Sequence, residues 1–272
     1  MRELERDLPA TPETTQDATA APANLVVVGR GRAGGSIARA ARAGGLEAVL
    51  IGRDEAPAIA APGATAVLLC VPDGAIAEAC ARIAPQLDPR TAVGHVSGVT
   101  TLAALAAASE RGCPVFSLHP LQTIPHPETP LSGAPCAIAG SGLTGLAAAR
   151  SLAAATGMRA FEVPDESRAL YHAAAAMASN FLVALEESAA DALAATGVAN
   201  PREILAPLVL RTAANWADAG AEALTGPITR GDEETVAVHL RALAEGAPEL
   251  APLYEALADR TRAVAARREA PR

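Results

Sequence analysis

The sequence predicts an α/β domain, with a mainly parallel sheet covered by helices on both faces, followed by an all-helical domain. Three observations carry that prediction. Between residues 24 and 163, short unbroken apolar runs alternate with helical patterns, which is how strands buried on both faces read. A glycine-rich turn, Gly29-Arg30-Gly31-Arg32-Ala33-Gly34, joins the first run to the first helix. Beyond Pro164 no strand-like run appears, and 69 alanines in 272 residues favour closely packed helices. At this length two domains are expected, with residues 1–23 as a disordered tail, 24–163 as the α/β domain and 164–272 as the helical one.

The elements follow in order. Asn24–Val28 is a β-branched strand and Ser36–Ala43 a helix. Leu46–Ile51 and Ala66–Val71 are strands, the latter closed by Pro72-Asp73-Gly74 and followed by a helix over Ala75–Ala84. Thr91–Ser97 is a strand, Leu102–Ala108 a helix, and Val115–Leu118 a strand ending at His119-Pro120. A proline-studded loop, Leu121–Pro135, leads to the strand Cys136–Ala139, a helix over Leu143–Thr156 and a last strand, Arg159–Val163. Asp165–Thr196 reads as one long helix stopped by Gly197, and Pro201–Gly220, Asp232–Glu245 and Pro248–Arg268 as three more.

Composition excludes several kinds of chemistry. All 22 basic residues are arginines, so a Schiff-base lysine and a phosphate-loop lysine are ruled out. A net charge of −8 gives no general attraction to nucleic acid or to an anionic membrane. Cys70, Cys80, Cys113 and Cys136 show no CxxC spacing, and no His, Asp and Glu cluster has metal-ligand spacing, so no metal is expected. Residues 1–23 lack the apolar core of a signal peptide, and no apolar stretch reaches membrane-spanning length. The expectation is a soluble cytoplasmic protein.

Gly29-x-Gly31-x-x-Gly34 follows a strand and opens a helix, the context in which this spacing points to a dinucleotide. The first glycine makes the turn, the second lets backbone approach a pyrophosphate, and the third allows close helix–strand packing. Arg32 and Ala33 supply amides at the helix start. At the end of the second strand, Arg53 has a fork suited to a 2′-phosphate, aided by Arg30 or Arg32, so NADP is expected ahead of NAD. Asp54 on a ribose hydroxyl is the alternative. Val71 and Pro72, at the carboxyl end of the third strand, would flank the nicotinamide ribose, and Asp73 reads as a helix cap.

Six stretches also form a joint pattern: VVVGRGRAGGS (26–36), LLCVPDGAI (68–76), HVSG (95–98), SLHPLQT (117–123), YHAAAAMASN (171–180) and GPITRGDEETVAVHL (226–240). Over residues 24 to 265 the chain resembles the bacterial Rossmann-like proteins with a C-terminal helical domain of unknown function. These are related to pyrroline-5-carboxylate reductase, deazaflavin-dependent NADP oxidoreductase and, more distantly, 6-phosphogluconate dehydrogenase and ketopantoate reductase. The resemblance implies a Rossmann domain followed by a helical domain of the 6-phosphogluconate dehydrogenase type, an NADP-dependent oxidoreductase and a homodimer. The chain departs at one point. Ketopantoate reductases place a lysine one helical turn before an asparagine on the first helix after the Rossmann domain; Asn180 fits, but Ala176 stands where the lysine would be.

Hydride transfer to C=O or C=N needs an aimed cofactor, a group to stabilise charge developing on the reacting atom, and a proton. His119 at a strand end and His172 on the long helix are the candidate proton donors, with Asn180 to hydrogen-bond the substrate. Spacing by four puts His172, Ala176 and Asn180 on one face, with Ser179 beside it; Ser97 offers a further hydroxyl. Arg230 in the turn Gly226–Asp232 would clamp a small carboxylic acid, and Asp232 reads as an N-cap with Glu233 and Glu234 behind it. His126 and His239 read as surface residues. The leading reading is a reductase of a small oxo acid, with ketopantoate foremost. An imine reductase and a non-catalytic nucleotide-binding protein are the alternatives.

Overall fold

A computed structural model describes residues 24–52, 54–55 and 63–269; the expected tail (1–23) and Arg53 lie outside these. Seven strands form one sheet: β1 (Asn24–Val28), β2 (Glu47–Ile51), β3 (Ala66–Leu69), β4 (Ala92–His95), β5 (Val115–Pro120), β6 (Pro135–Gly140) and β7 (Arg159–Glu162). Their order is β2-β1-β3-β4-β5-β6-β7, and all neighbours are parallel except β5 and β6. The antiparallel step needs no crossover helix, which is why the proline-studded loop suffices between β5 and β6.

Alternate residues of each strand feed two cores, one on each face of the sheet. Leu25 and Val27 join Ile37, Leu68, Phe116, Leu118 and Leu152 on one side. Val26 and Val28 join Val67, Leu69, Ile76, Ile83 and Leu105 on the other. The covering helices are α1 (Arg32–Ala43), α2 (Ile76–Ile83), α3 (Ala106–Ser109, preceded by a 3₁₀ turn, Leu102–Leu105) and α4 (Gly142–Ala155). The predicted alternation and two-faced burial are borne out. Helix α1 begins four residues earlier than expected, inside the glycine motif itself.

The chain divides into two compact units, residues 1–175 and 176–272. Helix α5 (Arg168–Ala178) follows a 3₁₀ turn at Asp165–Ser167, and after it come α6 (Asn180–Ala194), α7 (Pro201–Ala219), α8 (Glu233–Gly246) and α9 (Ala251–Glu269). The single long helix expected over Asp165–Thr196 is therefore broken at Ser179 (φ −124°, ψ −72°). There the Ser179 N–H turns back to Ala176 O at 3.4 Å, an i−3 bond, and the helix restarts with Val183 N–H on Ser179 O. The premise that His172 and Asn180 share one continuous helical face does not hold. No described helix is long and apolar enough to cross a membrane.

Candidate active site at the carboxyl edge of the sheet

The chain leaves β1 toward β2 on one side and returns to β3 on the other. The switch point, where such sheets bind ligands, therefore lies between the ends of β1 and β3. Gly29 stands there with φ +119°, and a Cβ on it would lie 2.2 Å from Cys70 O. A Cβ on Gly34 would lie 2.0 Å from Gly29 O, so α1 packs against the turn with no room for a side chain. Around Gly31, by contrast, a Cβ would meet nothing within 4 Å. The motif thus divides into two glycines that close the turn and one that leaves its outer face open.

Gly31 is also the N-cap of α1; it supplies no side-chain cap, and the first turn carries no acid. The amides of Arg32 and Ala33 begin the helix beside that open space, an anion-binding arrangement. Val71 and Pro72 continue β3 past its last paired residue, and Cys70 N–H is held by Val28 O at 2.8 Å. These features fit the phosphates of a dinucleotide. The 2′-phosphate assignment falls on Arg53, outside the described residues. Arg30 makes a two-point pair with Glu55, both contacts 2.8 Å, and Asp54 sits 3.6 Å from Arg82.

Farther along the same edge, β4 and β5 bring a second group together. His119 Nδ1 lies 2.6 Å from the Tyr171 hydroxyl, with the two rings nearly perpendicular (85°) and 5.6 Å apart. His172 stacks edge-on against His119 at 5.9 Å. Both imidazoles converge on Gly98: a Cβ there would lie 2.4 Å from His172 Cδ2 and 3.0 Å from His119 Nε2. Only a residue without a side chain admits the two rings in these positions.

Beneath them lies Arg168, fully buried. Its Nη1 donates to Ser117 Oγ at 2.6 Å and its Nη2 to the carbonyl of Ser97. Among the described residues its Nε has no hydrogen-bond partner, and none of the ion pairs engages it. Asp165, one turn before, accepts the Leu102 N–H through both carboxylate oxygens at 3.0 Å.

This guanidinium, together with burial, sets the local charge. His119 is lowered to about 4, by burial first and then by Arg168 and His172, with Asp73 opposing. His95, fully buried on β4, is also lowered to about 4, again by burial and then Arg168, and neither ring nitrogen makes a hydrogen bond of good geometry. Tyr171 is raised to about 12 by burial, which Arg168 partly offsets.

The sequence-derived residues fall as follows. His119 and His172 meet. Ser97 lies beside them, but its hydroxyl donates to Thr100 Oγ1 (2.8 Å) and accepts the Thr100 N–H (3.0 Å), and so shapes the turn. Asp73 makes no cap to the turn that follows it. Ser179, Asn180 and Arg230 belong to the second unit, where Arg230 is exposed at the end of a 3₁₀ turn. Asp232 caps α8 as expected, accepting from Thr235 N at 3.0 Å. His126 is exposed as expected, and His239 pairs with Tyr254 at 2.7 Å. Arg168, Tyr171 and His95 were not anticipated as site residues. Tyr171 and His95 were within reach, since they open the stretches YHAAAAMASN and HVSG. Among the described residues, no group of three or more His, Cys, Asp or Glu is placed to hold a metal.

Comparison with known proteins agrees with this architecture. Residues 134–261 match the family model described as a domain of unknown function (DUF2520), which bears out the resemblance drawn from the motifs. No curated protein matches. A Thermotoga maritima protein of known structure superposes with a TM-score of 0.72 at 24% identity, over 90% of this chain and 100% of its own. A Bacteroides fragilis protein provisionally named an NADP oxidoreductase gives 0.71 at 23%, over 89% and 98%. An Aspergillus terreus reductive aminase solved with NADPH and ethyl-5-oxohexanoate gives 0.64 at 18%, over 90% and 98%. The chain therefore shares the Rossmann-like fold of these structures, followed by a helical C-terminal region, and its residues 134–261 match the DUF2520 model.

Proposed function

We propose that the protein is an NADP-dependent reductase of a small oxo acid, with ketopantoate as the foremost substrate. The observation that carries this reading is the glycine turn: Gly29 and Gly34 closed against backbone, Gly31 open, and an uncapped helix start beside it. Bound there, a reduced nicotinamide supplies hydride. Reduction of C=O to an alcohol takes up one hydride and one proton. Because His119 is held to about 4, its imidazole is neutral at physiological pH, and its role is to donate an N–H hydrogen bond to the oxygen as charge develops there. His172, edge-on beside it, is the proposed proton donor. Asn180 and Ser179 are proposed to bind substrate and Arg230 to clamp its carboxylate, on the strength of the sequence.

One observation favours a second reading, reduction of a C=N bond. The chain has no lysine, and His119 is a poor acid. An iminium arrives already protonated and needs no acid from the protein. NADPH titration by calorimetry, then loss of its absorbance with panels of oxo acids and cyclic imines, tests both readings. Binding without turnover on either panel supports a non-catalytic nucleotide-binding protein.

The proposal extends to a homodimer. Among the described residues of the second unit only Ala190, Val236, Ala247 and Ala258 are buried apolar residues, while Phe181, Val183, Ile204, Leu208, Leu210 and Trp216 are exposed. A second copy covering α6 and α7 would give these side chains an interior. Light scattering at micromolar concentration is expected to give twice the chain mass; a monomer would refute it. A cytoplasmic location remains part of the proposal.

A further inference from the structure

We infer that Tyr171 is a positioning residue for His119: its hydroxyl donates to Nδ1, which leaves the ring's hydrogen on Nε2, the edge turned toward Gly98. The inference rests on the reading of His119 as the residue that meets the substrate, and it deepens that reading by assigning a tautomer and a substrate class.

The contact itself is the first argument. At 2.6 Å, with the rings at 85°, the hydroxyl lies within strong hydrogen-bond reach of the Nδ1 edge. A neutral imidazole has one donor and one acceptor nitrogen, and the partner of one fixes the role of the other. A phenol is a strong donor and a weak acceptor, whereas an unprotonated imidazole nitrogen is a strong acceptor, so O–H···N is the favoured sense. Among the described residues the Tyr171 hydroxyl has no other hydrogen-bond partner. Burial weakens the phenol as an acid, and Arg168, three residues earlier on α5, partly offsets this by stabilising negative charge on the phenol oxygen.

The surroundings keep the pair neutral. His119 is faced by Arg168, Tyr171 and His172 from α5, by His95 from β4 and by Asp73 from the turn after β3. Only Asp73 favours the imidazolium; Arg168, the other histidines and burial oppose it. The opposite edge of the ring faces Gly98, where a Cβ would lie 3.0 Å from both Nε2 and Cε1, so the absence of a side chain lets the ring sit there. A ring whose Nδ1 accepts from Tyr171 carries its N–H on the Nε2 edge, the edge that the reading of His119 turns to the substrate.

The tautomer selects a substrate class. An Nε2–H donor matches the lone pairs of a carbonyl oxygen and the negative charge that grows there. An iminium nitrogen, which bears hydrogen and positive charge, offers it nothing to bind. The pair is therefore matched to an oxo acid and not to a cyclic iminium.

The test uses the full chain labelled with ¹⁵N-histidine. Long-range proton–nitrogen spectra at neutral pH are expected to show His119 as the Nε2–H tautomer, and Tyr171→Phe to shift it to a mixture with Nδ1–H. Phe at this position keeps the ring contact with Phe161, 6.1 Å away, and thermal melting checks that the variant folds. Incorporating 3-fluorotyrosine at 171, which retains the hydroxyl, is expected to preserve the Nε2–H form. With oxo acid substrates, Tyr171→Phe is expected to lower kcat by roughly 10- to 100-fold with KM little changed. A wild-type ring in the Nδ1–H form, or a tautomer unmoved by Tyr171→Phe, overturns the inference. Absence of NADPH binding with the tautomer signature intact would overturn the reductase reading alone.

Discussion

Arg168 donates to Ser117 Oγ at 2.6 Å across 51 residues of sequence, and neither side chain reaches solvent. The bond ties the first turn of α5 to the middle of β5, so the helix that carries Tyr171 and His172 is anchored to the strand that carries His119. A buried guanidinium held by a hydroxyl and a carbonyl, with no carboxylate salt-bridge partner among the described residues, costs stability for what it organises.

Arg168→Met tests that relationship. It relieves a buried charge but strands Ser117 Oγ and Ser97 O, and the net loss is expected to be about 1–3 kcal/mol by urea unfolding. Because Arg168 lowers both His95 and His119, their titrations should move toward the ordinary histidine range, read by NMR. Unchanged titrations in a folded variant would contradict the electrostatic role assigned to it.

Gly98→Ala should separate cofactor binding from turnover. Its Cβ would fall 2.4 Å from the His172 ring and 3.0 Å from that of His119, so both must move. Activity is expected to fall at least tenfold, with about 1–3 kcal/mol lost to overpacking. NADPH affinity should stay within twofold, since the glycine turn after β1 is untouched.

The glycines of that turn should respond differently. Gly34→Ala places a methyl 2.0 Å from Gly29 O and is expected to compromise folding. Gly31→Ala meets nothing within 4 Å and is expected to melt like the parent, yet to bind NADPH at least tenfold more weakly. Equal NADPH affinity for Gly31→Ala and the parent would contradict the phosphate cradle.

Acid should destabilise the protein before its carboxylates titrate. His95 and His119 are lowered from 6.5 to about 4 in the folded state. In that window the unfolded chain binds more protons than the folded one, so stability is complete above about 6.5 and declines as pH falls toward 4. The two groups together are expected to remove a few kcal/mol, less for His119, which keeps some solvent contact. Urea midpoints at pH 7 and pH 4.5, with His95→Asn as the comparison, measure the decline.

The sheet was legible because strands buried on both faces are mostly apolar, and Val26–Val28 and Val67–Leu69 read as nothing else, with Ser117 the one polar residue in Val115–Leu118. The glycine turn was legible because its three positions have three distinct steric demands. The break at Ser179 was not. It lies in a run of alanines flanked by ordinary helix formers, with no proline or glycine to mark it. Arg168 was illegible for another reason: a single arginine beside acidic residues reads as surface, and only the approach of β4 and β5 buries it. His119 could be singled out from its strand end, but the bond that fixes its ring comes from 52 residues downstream.

The sparse interior of the helical unit bears on how the protein can be dissected. With Ala190, Val236, Ala247 and Ala258 as the only buried apolar side chains among its described residues, a single copy of a fragment starting at Ala176 would have almost nothing to collapse around. Expressed by itself it should be helical by circular dichroism yet bind hydrophobic dyes and melt without a sharp transition. Studies of this segment therefore need the intact polypeptide.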